Sequence, residues 1–263
     1  MLHNLCVNFY NGSSGLYFIL NSVTQRTILQ YILDGTKEGA IDLNDTRENL
    51  VITEEALQSI IEQLENDGLI NVKGELVSAS VDQRIELAVK AIKNGADFEK
   101  VSNSLGWLEF EELVARVFRE NGYNTMSRYR FKAEGRRWEI DVLAVSYPYI
   151  VCAECKHYTS GMGNSTARNI IEIHIEKTEV LSKHIGEVAK KIGVQGWKNA
   201  VLVPITLTLS PTKMNIYRRM PSVSVFMLPS FLDEFSGYLE RIINYPVDIP
   251  EYKPKPKQLR LGV

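Results

Sequence analysis

Two acidic residues and a lysine stand close together in a strand-like stretch near the middle of the chain. Asp141 belongs to one apolar run, and Glu154 and Lys156 belong to the next. A hairpin centred between Tyr147 and Pro148 places Asp141 directly opposite Glu154. Opposed side chains in such a hairpin have Cβ atoms roughly 4.5 to 5.5 Å apart. The spacing therefore predicts a facing pair of carboxylates.

Two carboxylates at that separation repel each other unless a cation lies nearby. Lys156 is two residues beyond Glu154, so the two side chains share one face of the strand. Carboxylate oxygens are also the ligands that hard divalent cations prefer. These residues therefore predict a site for Mg²⁺ or Mn²⁺ in which Lys156 supplies a further positive charge.

The order of Asp141 followed by Glu154-Cys155-Lys156 resembles the D…(D/E)-x-K signature of the PD-(D/E)XK, or restriction-endonuclease-like, nuclease superfamily. The stretch 107–123, which carries Glu111 and ends in Gly-Tyr, is similar to the helix that opens the core in its Mrr-like and archaeal Holliday-junction-resolvase-like branch. The resemblance covers roughly residues 105–228. It implies an α/β fold with an αβββαβ core and a mixed central sheet.

The resemblance also implies a set of roles. The catalytic residues would be Glu111, Asp141, Glu154 and Lys156. Asp141 and Glu154 would hold the metal, Glu111 would contribute directly or through water, and the backbone carbonyl of Cys155 would complete the shell. Lys156 would orient or deprotonate the attacking water, or stabilise charge in the transition state. The expected reaction is hydrolysis of DNA to 5′-phosphate and 3′-hydroxyl ends.

The stretch from about residue 108 to 121 is expected to be a helix, because its apolar residues recur at helical spacing. At about 100° per residue, Glu112 points away from the apolar stripe, whereas Glu111 lies at its edge. Of the two acids, only Glu111 can turn toward the sheet. The alternative is a solvated glutamate at the boundary of the stripe.

Five cationic residues, interleaved with aromatic residues, precede Asp141. They are Arg128, Arg130, Lys132, Arg136 and Arg137. Such a ribbon is often a solvated strand face, but beside an acidic site it also offers the cations that a phosphate backbone requires. We expect these five residues to bind DNA.

The composition is that of an ordinary globular protein, with 44% hydrophobic and 24% charged residues. No apolar run reaches the ~18 to 20 residues of a membrane helix. The first residues lack a basic stretch followed by an apolar core, so no secretory signal is expected. Three cysteines suit a reducing compartment. We expect a cytoplasmic protein with no membrane partner.

The net charge differs in sign between the first 80 residues and the rest of the chain. Residues 1–80 hold 4 Lys and Arg against 11 Asp and Glu, whereas residues 81–263 hold 26 against 21. Residues 1–80 resemble a winged helix, with Thr53 as a helix cap, Gly68 as a terminator and Gly74 in a wing. Its second helix carries acids and no cations, which disfavours insertion into a DNA groove. We expect a protein partner or dimerisation there instead.

The pattern predicts four segments: a winged-helix-like domain at 1–80, a helical linker at 81–105, a nuclease domain at 106–244 and a flexible Pro/Lys-rich tail at 245–263. Within the nuclease domain, residues 170–176 suit a helix or a strand, and a helix is expected over 211–220. His174 and His184 are expected to be ordinary surface or boundary residues.

Two other functions are compatible with the sequence. The chain could be a non-catalytic DNA-binding adaptor on a nuclease-like fold, or a winged-helix regulator whose second half only assembles it. Repair, recombination and restriction are the pathways that suit an endonuclease, and a homodimer would suit symmetric cutting of both strands. The sequence does not select a DNA structure.

Overall fold

The computed structural model describes residues 14–156, 164–209 and 215–251, and the chain divides into two compact units, Met1–Glu109 and Phe110–Val263. The helix that carries Glu111 begins in the first unit and continues into the second. Among the described residues, no helix is long and apolar enough to cross a membrane.

The first unit is mainly helical, with a small antiparallel sheet in the strand order β1-β3-β2. Its elements are α1 (Ser14–Gly35), β1 (Ile41–Asp42), α2 (Leu43–Asn49), α3 (Glu54–Asn66), β2 (Asn71–Lys73), β3 (Leu76–Ser78), α4 (Val81–Lys93) and α5 (Phe98–Ser104).

Local signals fix the ends of these helices. The Thr53 side chain accepts a hydrogen bond from the Ala56 amide at the start of α3, and Gly68 adopts the left-handed conformation just after its end. Ser80 and Gln83 form a capping box at the start of α4. The expected cap at Thr53 and terminator at Gly68 are therefore confirmed.

A buried arginine connects α1, α4 and α5 with the start of the helix that follows them. The guanidinium of Arg84 on α4 pairs with Glu109, and both side chains are less than 10% exposed. The same guanidinium donates to the Leu33 carbonyl, to the Thr36 hydroxyl at 2.8 Å and to the Ser104 carbonyl at 2.6 Å. Nearly every donor of this buried cation therefore has a partner within the unit.

The second unit is built on one mixed sheet. Its elements are α6 (Trp107–Glu120), β4 (Asn124–Ala133), β5 (Arg136–Ser146), β6 (Tyr149–Lys156), α7 (Asn164–Lys183), α8 (Ile185–Val188), β7 (Asn199–Thr208), β8 (Asn215–Tyr217), β9 (Met220–Ser224), a 3₁₀ turn (Val225–Met227), α9 (Leu228–Asp233), α10 (Phe235–Tyr238) and β10 (Tyr245–Asp248).

The strand order is β4-β5-β6-β7-β9-β8, and β10 also pairs with β7. β7 runs parallel to β6 and to β9, whereas the remaining pairs are antiparallel. A parallel pair needs a crossover, and α7 provides it between β6 and β7. The predicted α/β class and the order α-β-β-β-α-β are both observed.

The hairpin register agrees with the sequence. Ser146 pairs with Tyr149 and Val142 with Ala153, which is the register of a hairpin centred between residues 147 and 148. One face of the sheet packs against α7 in an apolar core. This core contains Tyr129, Phe131, Trp138, Ile140, Leu143, Val145, Ile150, Cys152, Leu181, Ile185, Ala200 and Leu202, among others.

Two expectations for the second unit were wrong. The helix expected over 211–220 is absent from the described residues 215–220, where β8 and β9 form a hairpin whose turn residues Arg218 and Arg219 have φ angles of 49° and 64°. Residues 245–248 of the expected tail form β10, because Tyr245 and Val247 pack on the apolar core. The rest of the tail, from residue 252, lies outside the described residues.

Replacing Arg84 with methionine should destabilise the protein strongly, because Glu109 would remain as a buried, unpaired charge. We expect a loss of about 3 to 5 kcal/mol in the free energy of unfolding, measured by urea denaturation. Arg47→Met is the control, since Arg47 pairs with Glu54 and Glu75 at the surface. A loss no larger for Arg84→Met than for this control would contradict a stabilising role of the buried pair.

Candidate active site

The site lies where the middle of the sheet opens. Pairing between β5 and β6 stops at Val142 and Ala153, and one further step of the same register sets Asp141 opposite Glu154. On the other side of β5, pairing with β4 is interrupted opposite Asp141, at Arg128. Asp141 therefore occupies a position at which neither neighbouring strand continues its regular ladder.

The interruption coincides with an unusual backbone. Arg128 has a φ of 51°, a left-handed backbone conformation that residues other than glycine seldom adopt. On β5 the core face is formed by Trp138 and Ile140 and then by Leu143 and Val145, so the strict alternation of faces is broken between residues 140 and 143. Local distortion of this kind redirects side chains and is frequent beside active sites.

Asp141 is an almost fully buried carboxylate. Only 9% of the residue is exposed, and Oδ2 accepts a hydrogen bond of 2.8 Å from the backbone amide of Cys155. Burial, followed by the negative charge of Glu154, raises the pKa of Asp141 to about 6. Asp141 is thus the member of the pair that takes up a proton.

Glu154 has the opposite electrostatic environment. Its Oε1 accepts from Nζ of Lys156 at 2.7 Å, and its Oε2 accepts from Nζ of Lys177 at 2.6 Å. Nδ1 of His174 lies 3.4 Å from Oε2. Burial alone would raise the pKa of Glu154, but nearby His174 and the two lysines outweigh burial and hold it below its ordinary range. Glu154 is therefore the ionised member of the pair.

Two of these residues come from α7 and were missed from the sequence. His174 is completely buried and its Nε2 contacts the Cys152 carbonyl at 2.8 Å, so its expected placement at the surface or boundary was wrong. Lys177 received no role. The two residues are three apart, a spacing that puts them on one face of a helix. That signal was hidden because the sequence suited both helix and strand at residues 170–176.

Glu111 reaches the sheet from α6, as expected. It is 4% exposed, and its Oε2 accepts from Nε of Arg128 at 2.9 Å. The neighbouring Glu112 instead pairs with Arg119 at the surface. The expectation that Glu111 rather than Glu112 turns toward the sheet is confirmed.

The acids fit a cation that keeps part of its water shell. Among residues 14–156, 164–209 and 215–251, no three His, Cys, Asp or Glu side chains converge on a single point as metal ligands. The facing pair of Asp141 and Glu154 supplies two carboxylates, which is how Mg²⁺ is commonly held together with waters and substrate phosphates. Glu111, engaged by Arg128, suits a contact through water. The carbonyl of Cys155 remains a predicted ligand.

The cationic ribbon is divided between two faces of the sheet. Arg128, Arg130 and Lys132 alternate with the core residues of β4, and Arg137 faces Lys132 across the ladder. Arg136 lies on the other face, with its guanidinium 4.0 Å from the centre of the Trp138 ring. From position 128 to position 132 the ribbon extends roughly 13 Å, at about 3.3 Å per residue.

Residues 106–203 match the family model described as NERD, a nuclease-related domain. An uncharacterized protein of Archaeoglobus fulgidus is 28% identical over 134 residues, which are 51% of this chain and 94% of that protein. The match to the domain includes all four residues expected to be catalytic. It supports a nuclease-like second unit.

Solved structures with similarity to the chain were also found. A protein of unknown function, AF1548, matches 37% of this chain and 44% of its own length at 21% identity, with a TM-score of 0.27. The restriction endonuclease FokI matches 83% of this chain and 45% of its own length at 14% identity, with a TM-score of 0.32. The chain thus spans less than half the length of either protein.

Replacing Asp141 with asparagine should stabilise the metal-free protein at neutral pH. The carboxyl ionises near pH 3.8 in an unfolded chain and at about 6 in the folded one, so folding stability is lost as pH rises between these values. Asparagine does not ionise. The variant should therefore gain about 1 to 2 kcal/mol over the wild type at pH 7.5 and much less near pH 4.

Urea denaturation in EDTA at the two pH values measures this difference, with the exposed Asp248→Asn as a control for loss of one charge. A variant that is less stable than the wild type at pH 7.5 would show that ionised Asp141 stabilises the fold, and would contradict the assignment of the proton to Asp141.

Proposed function

We propose that the chain is a divalent-metal-dependent DNA endonuclease that leaves 5′-phosphate and 3′-hydroxyl ends. The observation that carries this proposal is the buried pair of Asp141 and Glu154 at the opening of the sheet, with Lys156 and Lys177 within hydrogen-bond distance of Glu154. Buried acids with perturbed pKa values in such a setting are typical of functional sites. The match to a nuclease-related domain supports the same reaction class.

The residues divide the work of phosphodiester hydrolysis. When bound, Mg²⁺ or Mn²⁺ polarises a phosphoryl oxygen and makes a coordinated water more acidic. Asp141 and Glu154 would hold this ion, and Glu111 would contact its water shell. The ammonium groups of Lys156 and Lys177 would stabilise the negative charge that develops on the phosphoryl oxygens. Lys156 is also placed to orient the attacking water.

The bond changes follow from the expected products. The oxygen of water bonds to phosphorus, and the bond between phosphorus and the 3′-oxygen breaks. The attacking water gives up one proton to solvent, and the departing 3′-oxygen takes up one proton from solvent to become a hydroxyl, so no net proton is gained or lost in the step. Asp141 is not suited to be the sole base, because a bound cation would lower the proton affinity of its carboxylate.

DNA suits the charge around the site. Arg128, Arg130, Lys132 and Arg137 lie along the part of the β4–β5 hairpin that extends beyond the end of the β5–β6 ladder. Arg130 is partly neutralised by Glu139. Arg128 is engaged by Glu111, so Lys132 and Arg137 are the cations best placed to contact the phosphates on one side of a cleavage point, which offsets the repulsion between DNA and the acidic pair.

The first unit is proposed to be a winged helix that binds protein. Its order of helix, strand, two helices and two strands supports this assignment. The acidic residues of α3, which include Glu54, Glu55, Glu62 and Glu65, support a protein partner over DNA. We further propose a homodimer as the form that cuts both strands, and a cytoplasmic role in repair, recombination or restriction.

Asp141→Ala should abolish cleavage while leaving DNA binding in place. The substrates are linear duplex, single-stranded, flap and four-way-junction DNA, each with Mg²⁺, Mn²⁺ or EDTA. Metal-dependent cutting by the wild type should fall by about three orders of magnitude or more in the variant, because one of the two metal ligands is lost. Binding of DNA by a wild type that never cuts would instead favour the adaptor.

The cationic ribbon provides an internal comparison between neighbouring residues. Arg137→Gln should weaken DNA binding a few-fold and reduce the salt dependence of binding by roughly one phosphate contact. Arg136→Gln should have a much smaller effect, because Arg136 lies on the opposite face over Trp138. Fluorescence anisotropy with labelled duplex in EDTA measures both variants. Equal effects of the two substitutions would contradict this assignment of faces.

A further inference from the structure

A row of hydroxyl groups continues the site across the sheet. Along the core face of β6 and β7 the first pairs are apolar, as in Ile150 opposite Leu202. Two steps later the same face becomes polar, with Glu154 opposite Thr206 and then Lys156 opposite Thr208. The next strand extends this pattern, since Thr208 stands opposite Ser224 of β9.

Three of these hydroxyl groups are buried without a partner. Within the part of the chain that the structure describes, Oγ1 of Thr206, Oγ1 of Thr208 and Oγ of Ser224 make no hydrogen bond. Thr206 is 6% exposed and Ser224 is 1% exposed. Thr208 as a residue is half-buried, but its hydroxyl oxygen, like the other two, is shielded from solvent beside the acidic pair.

Secondary-structure preference does not explain this row. Threonine is favourable in strands, but valine has the same shape and avoids the cost of burying an unpaired hydroxyl group. Serine lacks even the preference for strands. Most buried polar side chains have a partner, so three unpartnered hydroxyls side by side indicate a polar occupant. Their burial favours water, which needs two to four polar contacts, over a phosphate group.

We propose that Thr206, Thr208 and Ser224 hold ordered water beside Glu154 and Lys156, and that this water positions those two side chains for catalysis. Neighbouring strands lie about 4.8 Å apart, so a water on Thr206 or Thr208 is within reach of the adjacent Glu154 or Lys156 side chain. The three hydroxyls are positioning residues and do not contact the substrate. The catalytic part of this proposal rests on the proposed nuclease function.

The test compares isosteric substitutions in the full-length protein. Thr206→Val and Thr208→Val remove one hydroxyl each, Ser224→Ala removes the third, and Thr206→Ser retains the hydroxyl. Thr46→Val is the control, because Thr46 is also buried but its hydroxyl donates to the Asp42 carbonyl four residues earlier, and Thr46 belongs to the first unit. The measurements are the melting temperature in EDTA and the kcat and KM of metal-dependent DNA cleavage.

The expected result has two parts. Thr206→Val and Thr208→Val should lower the melting temperature by a few degrees and lower kcat about tenfold, with KM changed less than twofold. Thr206→Ser should keep kcat within twofold of the wild-type value. It should also keep the melting temperature within about a degree of the wild-type value. Thr46→Val should leave kcat unchanged even if it lowers the melting temperature.

Other results overturn the proposal. A higher melting temperature in the valine variants would mean that the hydroxyls are simply unpaired. A lower melting temperature with unchanged kcat would mean that the water has no positioning role. If the wild type does not cut DNA, the proposed nuclease function fails. A melting temperature that falls with valine and recovers with serine would then still support the bound water.

Discussion

The repulsion between two buried carboxylates governs the arrangement of this site. Asp141 and Glu154 face each other where both are largely shielded from solvent, so they cannot both be ionised without cations close by. The two carboxylates are stabilised differently. Lys156 and Lys177 donate hydrogen bonds to Glu154, whereas Asp141 accepts one from a backbone amide and has a raised pKa. A divalent cation between them would remove the same repulsion more completely.

The topology explains how side chains from five chain segments contribute to one site, namely α6, β4, β5, β6 and α7. The parallel pairing of β6 and β7 requires α7 to cross the face of the sheet, and the crossing brings His174 and Lys177 over Glu154. The break in the ladders at Arg128 and Asp141 opens the sheet from the other side, where Arg128 engages Glu111 of α6. The distorted strands and the crossover helix are thus both part of the site.

The sequence was sufficient for features that depend on local pattern. The hairpin register and the choice of Glu111 over Glu112 follow from residue spacing, whereas the order of the core elements came from the family resemblance. Lys177 could not be found this way, because its contact with Glu154 depends on the path of α7 across the sheet. Residues 215–220 form a hairpin instead of the expected helix, and the sequence did not indicate it because the turn at Arg218 and Arg219 has left-handed geometry, which arginine rarely signals.

A diffraction experiment on crystals soaked in Mn²⁺ tests the central claim most directly. The anomalous signal of manganese would locate the ion without reference to any activity. We expect a peak beside the carboxylates of Asp141 and Glu154, which would hold the ion, and no such peak in Asp141→Asn. A structure that binds Mn²⁺ at other positions but shows no peak beside Asp141 and Glu154, with both lysines still bound to Glu154, would contradict this claim.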